Sequence, residues 1–159
     1  MTNRAGYPCI ALPCSASRLW LIPQICLGEI VTLATAQELP PAQIFWRGEL
    51  VPVVDFGAGE QAVWRDPRTG SGLVAVILGQ EGQSCRFWGL ALRGAGLGVV
   101  TLAGAEPEDL PEALQDYACA AFRLHDTVYQ IPDLAAVQRA IGEGILVSPE
   151  AAHGHQLEQ

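Results

Sequence analysis

Short apolar runs, separated by glycine, proline and polar residues, are the feature of this sequence that most restricts its fold. Residues 73–78 read LVAVIL and residues 87–92 read FWGLAL, and the polar segment GQEGQSC, residues 79–85, separates them. Apolar runs of four to eight residues bounded by turn residues are typical of β-strands. The long amphipathic segments that βαβ units require do not separate these runs. The pattern therefore predicts an all-β domain.

The same pattern places the individual elements. Strands are predicted at residues 9–12, 19–22, 25–33, 50–56, 73–78, 87–92, 99–102, 119–124 and 128–131. A turn is expected at 15–17, and the run 73–78 is expected to be buried on both faces. The last two strands are expected to form a hairpin closed by His125, Asp126 and Thr127.

Two helices are predicted in the second half of the chain. One follows Pro132, because Asp133 can cap its first turn and Gly142 stands where a helix ends. Its residues Leu134, Val137 and Ile141 form one apolar stripe. A second, shorter helix is predicted over residues 111–117, with acidic residues near its start.

Composition and charge exclude several classes of function. The chain has 159 residues, of which 50% are hydrophobic and 16% are charged, and its net charge is −8. It has no basic surface for nucleic acid and no apolar run long enough for a membrane helix. Pro8 and Pro13 interrupt what would be the core of a signal peptide, so a cytoplasmic protein is expected. One domain is predicted over residues 1–144, followed by a disordered tail over 145–159.

Reactive side chains do not converge in the sequence. The five cysteines are scattered, without a C-x-x-C pair, and are expected to be reduced core residues: Cys9, Cys14, Cys26, Cys85 and Cys119. His153 and His155 lie in the predicted tail, and His125 is explained by its turn. The glycines of GAGLG, residues 94–98, precede no helix that could bind a phosphate. We therefore expect no enzyme activity, no cofactor and no metal.

Two acidic residues within apolar strands need partners. Glu29 and Asp55 each interrupt an apolar segment, and a buried carboxylate without a cation or hydrogen bonds is unstable. Arg47, which lies just before the strand 50–56, is the candidate cation. The acids either form an ion pair that joins two strands or contribute to a surface presented to a partner, and the sequence leaves both readings open.

Residues 46–56, WRGELVPVVDF, resemble the signature of CheW-like domains, the coupling proteins of bacterial chemosensory arrays. Arg47 and Gly48 match the family's Arg-Gly turn, and residues 51–55, VPVVD, match the strand that follows it. Upstream, Pro23, Glu29 and Ile30 match a second family pattern, and the likeness extends over residues 9–142. Phe45 and Trp46 replace the usual Asn-Leu pair, which is closer to the accessory ChpC-type proteins of type IV pilus systems.

The resemblance implies a fold and a function. The fold is two small intertwined five-stranded β-barrels with a short C-terminal helix. The function is that of an adaptor between the cytoplasmic tip of methyl-accepting chemoreceptors and the regulatory domain of a CheA-type histidine kinase, in or near receptor arrays. The partner surface is expected at Trp46, Arg47, Gly48, Val51 and Val53, and an ion pair is expected between Glu29 and Arg47. Pro52 is expected on an edge strand or at a bulge.

Other functions stay open at the level of sequence. One is a small-molecule sensor whose ligand site is lined by tryptophans, namely Trp20, Trp46, Trp64 and Trp88. Another is an enzyme built on a small β-barrel, with a pocket that the sequence does not name. A third is a CheW-like module that has lost kinase coupling. Each half also brings a strand to an acid, VPVVDF at 51–56 and VYQIPDL at 128–134, and either a duplication or chance produces so short a match.

Overall fold

The computed structural model describes residues 8–83, 85–102, 104 and 106–146, which form two β-sheets and one α-helix. The strands are β1 (Pro8–Ser15), β2 (Arg18–Pro23), β3 (Leu27–Ala34), β4 (Gln43–Trp46), β5 (Glu49–Val54), β6 (Ser71–Leu78), β7 (Phe87–Leu92), β8 (Gly98–Thr101), β9 (Glu108–Asp109), β10 (Ala118–Leu124) and β11 (Thr127–Pro132). The helix is α1 (Leu134–Gly142), and short 3-10 turns span Gln24–Cys26 and Pro111–Ala113.

The chain visits one sheet, leaves it and returns. The first sheet has the strand order β8-β1-β2-β11-β10-β9, and the second has the order β3-β6-β7-β5-β4. Each sheet contains a parallel pairing, β11 with β2 and β5 with β7. The prediction of an all-β fold with two small intertwined β-barrels and a short C-terminal helix is confirmed in its class, its two units and its helix, and each unit is one sheet. The first unit has six strands rather than five because the two-residue strand β9 pairs with β10.

Three apolar clusters lie in layers on the two sheets. The middle cluster fills the space between the sheets, where Leu12 and Trp20 of the first sheet meet Ile77 and Trp88 of the second. A second cluster covers the other face of the five-stranded sheet and includes Val51. A third covers the other face of the six-stranded sheet. Each sheet is therefore buried on both faces over its central strands.

This layering explains why the central strands are apolar at almost every position. In β6, Val74 and Val76 belong to the second cluster, whereas Ala75 and Ile77 belong to the middle one. Successive side chains of a strand point to opposite faces, and both faces of β6 are buried. The predicted two-sided burial of residues 73–78 is confirmed for these four residues.

The two predicted helices have different outcomes. Helix α1 begins after Asp133, whose carboxylate accepts the backbone N–H of Ala136 at 3.1 Å, and ends at Gly142 as predicted. The helix predicted over 111–117 is wrong. A 3-10 turn ends at Ala113, Leu114 is extended, and Tyr117 has a φ of +68°. A positive φ at a bulky residue is incompatible with a continuing helix.

Pro52 does not lie on an edge strand. Strand β5 sits between β4 and β7, and Val53 donates its backbone N–H to Ala42 on the β4 side at 2.9 Å. The missing N–H of Pro52 would therefore point toward β7, whose pairing with β5 begins at Val53. The proline occupies a position where the ladder needs no donor.

Residues 147–159, which include most of the predicted tail, lie outside the described residues. The described chain ends at Leu146, which packs against the middle cluster. Within the described part, no helix has the length and apolar character to cross a membrane. The same residues contain no group of three or more His, Cys, Asp or Glu side chains placed to hold a metal ion.

Candidate partner-binding site

A tight hairpin turn carries Arg47 and Gly48. Trp46 of β4 is paired with Glu49 of β5, so the turn has two central residues, with φ values of +52° and +80°. Two positive φ values in a two-residue loop define a type I′ turn, whose twist matches that of the flanking strands. Both residues are exposed, so this part of the predicted site lies at the surface.

The outer side of this hairpin is apolar and exposed. Phe45 and Leu50 are paired across β4 and β5, which places their side chains side by side. They are 77% and 51% exposed. We call the surface formed by Phe45, Arg47, Gly48 and Leu50 the hairpin face.

A groove of about 330 Å³ borders the hairpin face. It runs between the end of β3 and strand β4, and Leu33, Leu39, Phe45 and Trp64 contribute apolar walls. Strands β3 and β4 are the two edges of the five-stranded sheet. The groove therefore lies where this sheet is open, beside strand edges that can accept a partner.

Trp46 is buried beneath the hairpin face. Its indole Nε1–H donates to the Glu29 carboxylate at 2.8 Å, and its ring forms a T-shaped pair with Phe87, with centroids 5.1 Å apart. Gly28 leaves the space that the ring needs, because a Cβ there would lie 2.9 Å from the Trp46 ring. This tryptophan is fixed on several sides.

The predicted ion pair between Glu29 and Arg47 is not among the ion pairs of the described residues. The indole of Trp46 binds Glu29 instead. The Arg47 guanidinium lies over the face of the same indole, 4.4 Å from its centroid. The large ring at position 46 thus stands between the two charges, each of which interacts with the tryptophan.

Asp55 does have a buried cation, and it is Arg93. Arg93 Nε and Nη2 donate to the two carboxylate oxygens of Asp55 at 2.8 and 2.7 Å, and the two side chains are 5% and 0% exposed. Sequence reasoning missed Arg93. The sequence feature that could have identified it is a charged residue directly after the apolar run 87–92, which forms β7.

Three residues of the predicted partner surface are core residues. Trp46, Val51 and Val53 all belong to the second apolar cluster and are buried. Alternation along β5 directs Val51 and Val53 into the interior, while Leu50 points outward. The structure therefore assigns exposed positions to Arg47, Gly48, Phe45 and Leu50, and it gives Trp46 a supporting position.

The cysteine thiols are free in the described structure. Burial raises the pKa of the Cys14 thiol well above its ordinary value, which keeps it protonated and unreactive. Burial also raises the pKa of Cys9, Cys26 and Cys85. These four thiols have no feature of a nucleophile.

A larger groove, of about 490 Å³, lies elsewhere and includes Trp64. Polar groups at its end already bind one another: Asp66 accepts the Arg68 backbone N–H at 2.9 Å, and the Thr69 and Ser71 hydroxyls are 3.0 Å apart. The other tryptophans are not in its lining, and Trp20 and Trp88 are fully buried. The four tryptophans therefore do not form one ligand site.

Comparison with known proteins supports the fold. No protein-family model matches the sequence, and no curated protein matches it. The structure is similar to that of the scaffolding protein TtCheW from Thermoanaerobacter tengcongensis, with a TM-score of 0.52 and 16% sequence identity over 89% of this chain and 98% of that chain. The chain has a CheW-like fold.

Proposed function

We propose that the chain is a non-catalytic adaptor that couples chemoreceptors to a CheA-type histidine kinase in a bacterial chemosensory system. The observation that carries the proposal is the hairpin face, where Phe45 and Leu50 expose apolar surface at the open side of a CheW-like sheet. Exposed apolar patches of this kind mark interaction sites. The similar protein TtCheW is described as a scaffolding protein, which supports the same role here.

An adaptor needs a second surface, and Ile25 offers one. This residue lies in the 3-10 turn Gln24–Cys26, between β2 and β3, and is 86% exposed. The hairpin face borders free strand edges, which suit a β-domain such as the regulatory domain of the kinase. We therefore assign the kinase regulatory domain to the hairpin face and the receptor tip to the Ile25 turn. The proposed location of the complex is the cytoplasm, at receptor arrays. The Trp-Arg-Gly turn favours a type IV pilus system.

The assignment predicts two substitutions that each weaken binding of one partner and leave binding of the other unchanged. Phe45→Asp is expected to weaken binding of the purified kinase regulatory domain by about tenfold or more, because it places a charge in an apolar contact. It is expected to leave binding of a receptor-tip fragment unchanged, and Ile25→Asp is expected to do the reverse. Biolayer interferometry with both partners from the source organism measures each affinity.

Val99→Asp is the matched control. Val99 is also an exposed apolar side chain on a strand, but it lies in the six-stranded sheet, so its substitution should affect neither partner. Circular dichroism checks that all three variants are folded. The adaptor function is contradicted if the unmodified chain binds neither partner. The surface assignment is contradicted if Phe45→Asp and Ile25→Asp act alike.

A further inference from the structure

Arg47 is exposed and has no carboxylate or carbonyl acceptor among the described residues. All nine basic residues of the chain are arginines. Most of the described ones bind an oxygen of the protein: Arg18, Arg65, Arg68, Arg86, Arg93 and Arg123. Besides Arg47, only Arg139 of α1 lacks such a contact within the described structure. A guanidinium has five N–H donors, and those of Arg47 are not used by these residues.

Two carboxylates beside the Trp46-Arg47 segment, Glu29 of β3 and Glu49 of β5, already have other partners. Glu29 accepts the indole N–H of Trp46. Glu49, which closes the turn, accepts Arg86 Nη1 at 3.2 Å. The structure therefore leaves a positive charge uncompensated at the centre of the hairpin face, in a chain whose net charge is −8.

The guanidinium of Arg47 is also held in place. Its central carbon lies over the Trp46 ring, 4.4 Å from the ring centroid, and that ring is held by Glu29 and Phe87. The ring offers no carboxylate or carbonyl oxygen, so this contact leaves the N–H groups of the guanidinium available to a planar carboxylate. A side chain that is ordered before binding loses less entropy when a partner docks.

We propose that Arg47 binds a carboxylate of the protein that docks on the hairpin face. The partner surface complementary to this face is then an acidic side chain flanked by apolar side chains that contact Phe45 and Leu50. The proposal rests on the proposed function and specifies its kinase-binding surface, so the occupant is the kinase regulatory domain. Trp46 acts as a positioning residue that keeps Glu29 from neutralising Arg47.

The test compares Arg47→Asn with Arg139→Gln. Asn-Gly is the favoured pair for a type I′ turn, so Arg47→Asn keeps the hairpin while it removes the guanidinium. Arg139→Gln removes the same charge from an exposed position on α1. Affinity for the purified kinase regulatory domain is measured at several salt concentrations, and the oligomeric state of each variant is measured by analytical ultracentrifugation.

We expect Arg47→Asn to weaken binding about tenfold or more, because a hydrogen bond between charged groups is lost. We also expect its affinity to depend less on salt than that of the unmodified chain, whereas Arg139→Gln should behave like the unmodified chain. If the unmodified chain binds and Arg47→Asn binds equally well, the carboxylate contact is wrong and the adaptor function stands. If the unmodified chain does not bind, the adaptor function itself fails. Loss of self-association, with kinase binding unchanged, would identify a second copy as the occupant and overturn the proposal.

Discussion

Arg93 and Asp55 show how one pair of residues joins distant parts of the chain. Strands β5 and β7 run parallel, so their carboxyl ends lie at the same side of the sheet, where Asp55 follows one strand and Arg93 follows the other. Arg93 Nη1 also donates to the Ala62 carbonyl at 2.9 Å, and the Arg93 backbone N–H donates to the Pro13 carbonyl in β1 at 2.8 Å. The arginine therefore connects the loop after β5 with both sheets.

We expect Arg93→Gln to lower the free energy of unfolding by about 3–5 kcal/mol, because it leaves the Asp55 carboxylate buried without a cation. The matched control is Arg123→Gln, which breaks the exposed pair with Glu108 and should cost about 0–1 kcal/mol. Urea denaturation measures both changes. Equal losses for the two variants would show that the buried pair has no special role.

The same residues show what sequence can predict at this scale. The presence of a buried acid at Asp55 follows from its apolar neighbours, and the structure agrees. Its partner could not be predicted, because Arg93 reaches it through a parallel pairing that local patterns do not encode. The contacts of Glu29 and Arg47 were also mispredicted. They depend on the size of Trp46 and on the space at Gly28, which are properties of packing rather than of charge.

At the scale of elements, a buried glutamine fastens helix α1 to the connection between β6 and β7. Gln138 Nε2 donates to the carbonyls of Gln80 and Cys85 at 3.0 and 2.6 Å, and its Oε1 accepts the Gln80 N–H at 2.9 Å. Gly79 lies against the same side chain, and a Cβ there would overlap the Gln138 amide. The position of the helix and the conformation of this connection are therefore linked.

Gln138→Ala is expected to destabilise the protein by about 1–3 kcal/mol, since it removes the three hydrogen bonds that the buried Gln138 amide makes with the backbone of Gln80 and Cys85. The backbone N–H of Gln80 should also lose protection from hydrogen exchange, because its acceptor is removed. Gln130→Ala is the matched control. Gln130 is buried as well, but it binds Ala113 and Gln115, so its loss should expose that segment and leave Gln80 protected. Equal loss of Gln80 protection in both variants would contradict the local link.

Elements with a strong local pattern were predicted, and those set by distant contacts were not. The apolar runs identified the central strands, and Asp133 with Gly142 identified α1. Strand β4 was missed because it has four residues and begins with the polar Gln43. The segment after Pro111 has helical composition, but the Tyr117 backbone carbonyl accepts the backbone N–H of Asp133, at the start of α1, at 2.8 Å. Tyr117 makes this contact with a positive φ, which a helix over 111–117 could not contain.

At the scale of the whole molecule, the two sheets share one core. The middle cluster contains residues of both sheets and Val137 of α1, and the chain begins and ends its described strands in the same sheet. Neither sheet can lose its structure without exposing apolar side chains of the other. We therefore expect the two β units to unfold together, as one cooperative domain.

Fluorine labels on tryptophan test this expectation, because Trp20 lies in the six-stranded sheet and Trp46 in the five-stranded sheet. In urea, the two signals should have the same midpoint. Val51→Ala, in the cluster that belongs to the five-stranded sheet, should lower the free energy of unfolding by about 1.5–3 kcal/mol. Because the middle cluster transmits that loss, both midpoints should fall equally, whereas a shift at Trp46 alone would show that the sheets unfold separately. The exposed substitution Val99→Asp should change the free energy of unfolding reported by either label by less than about 0.5 kcal/mol.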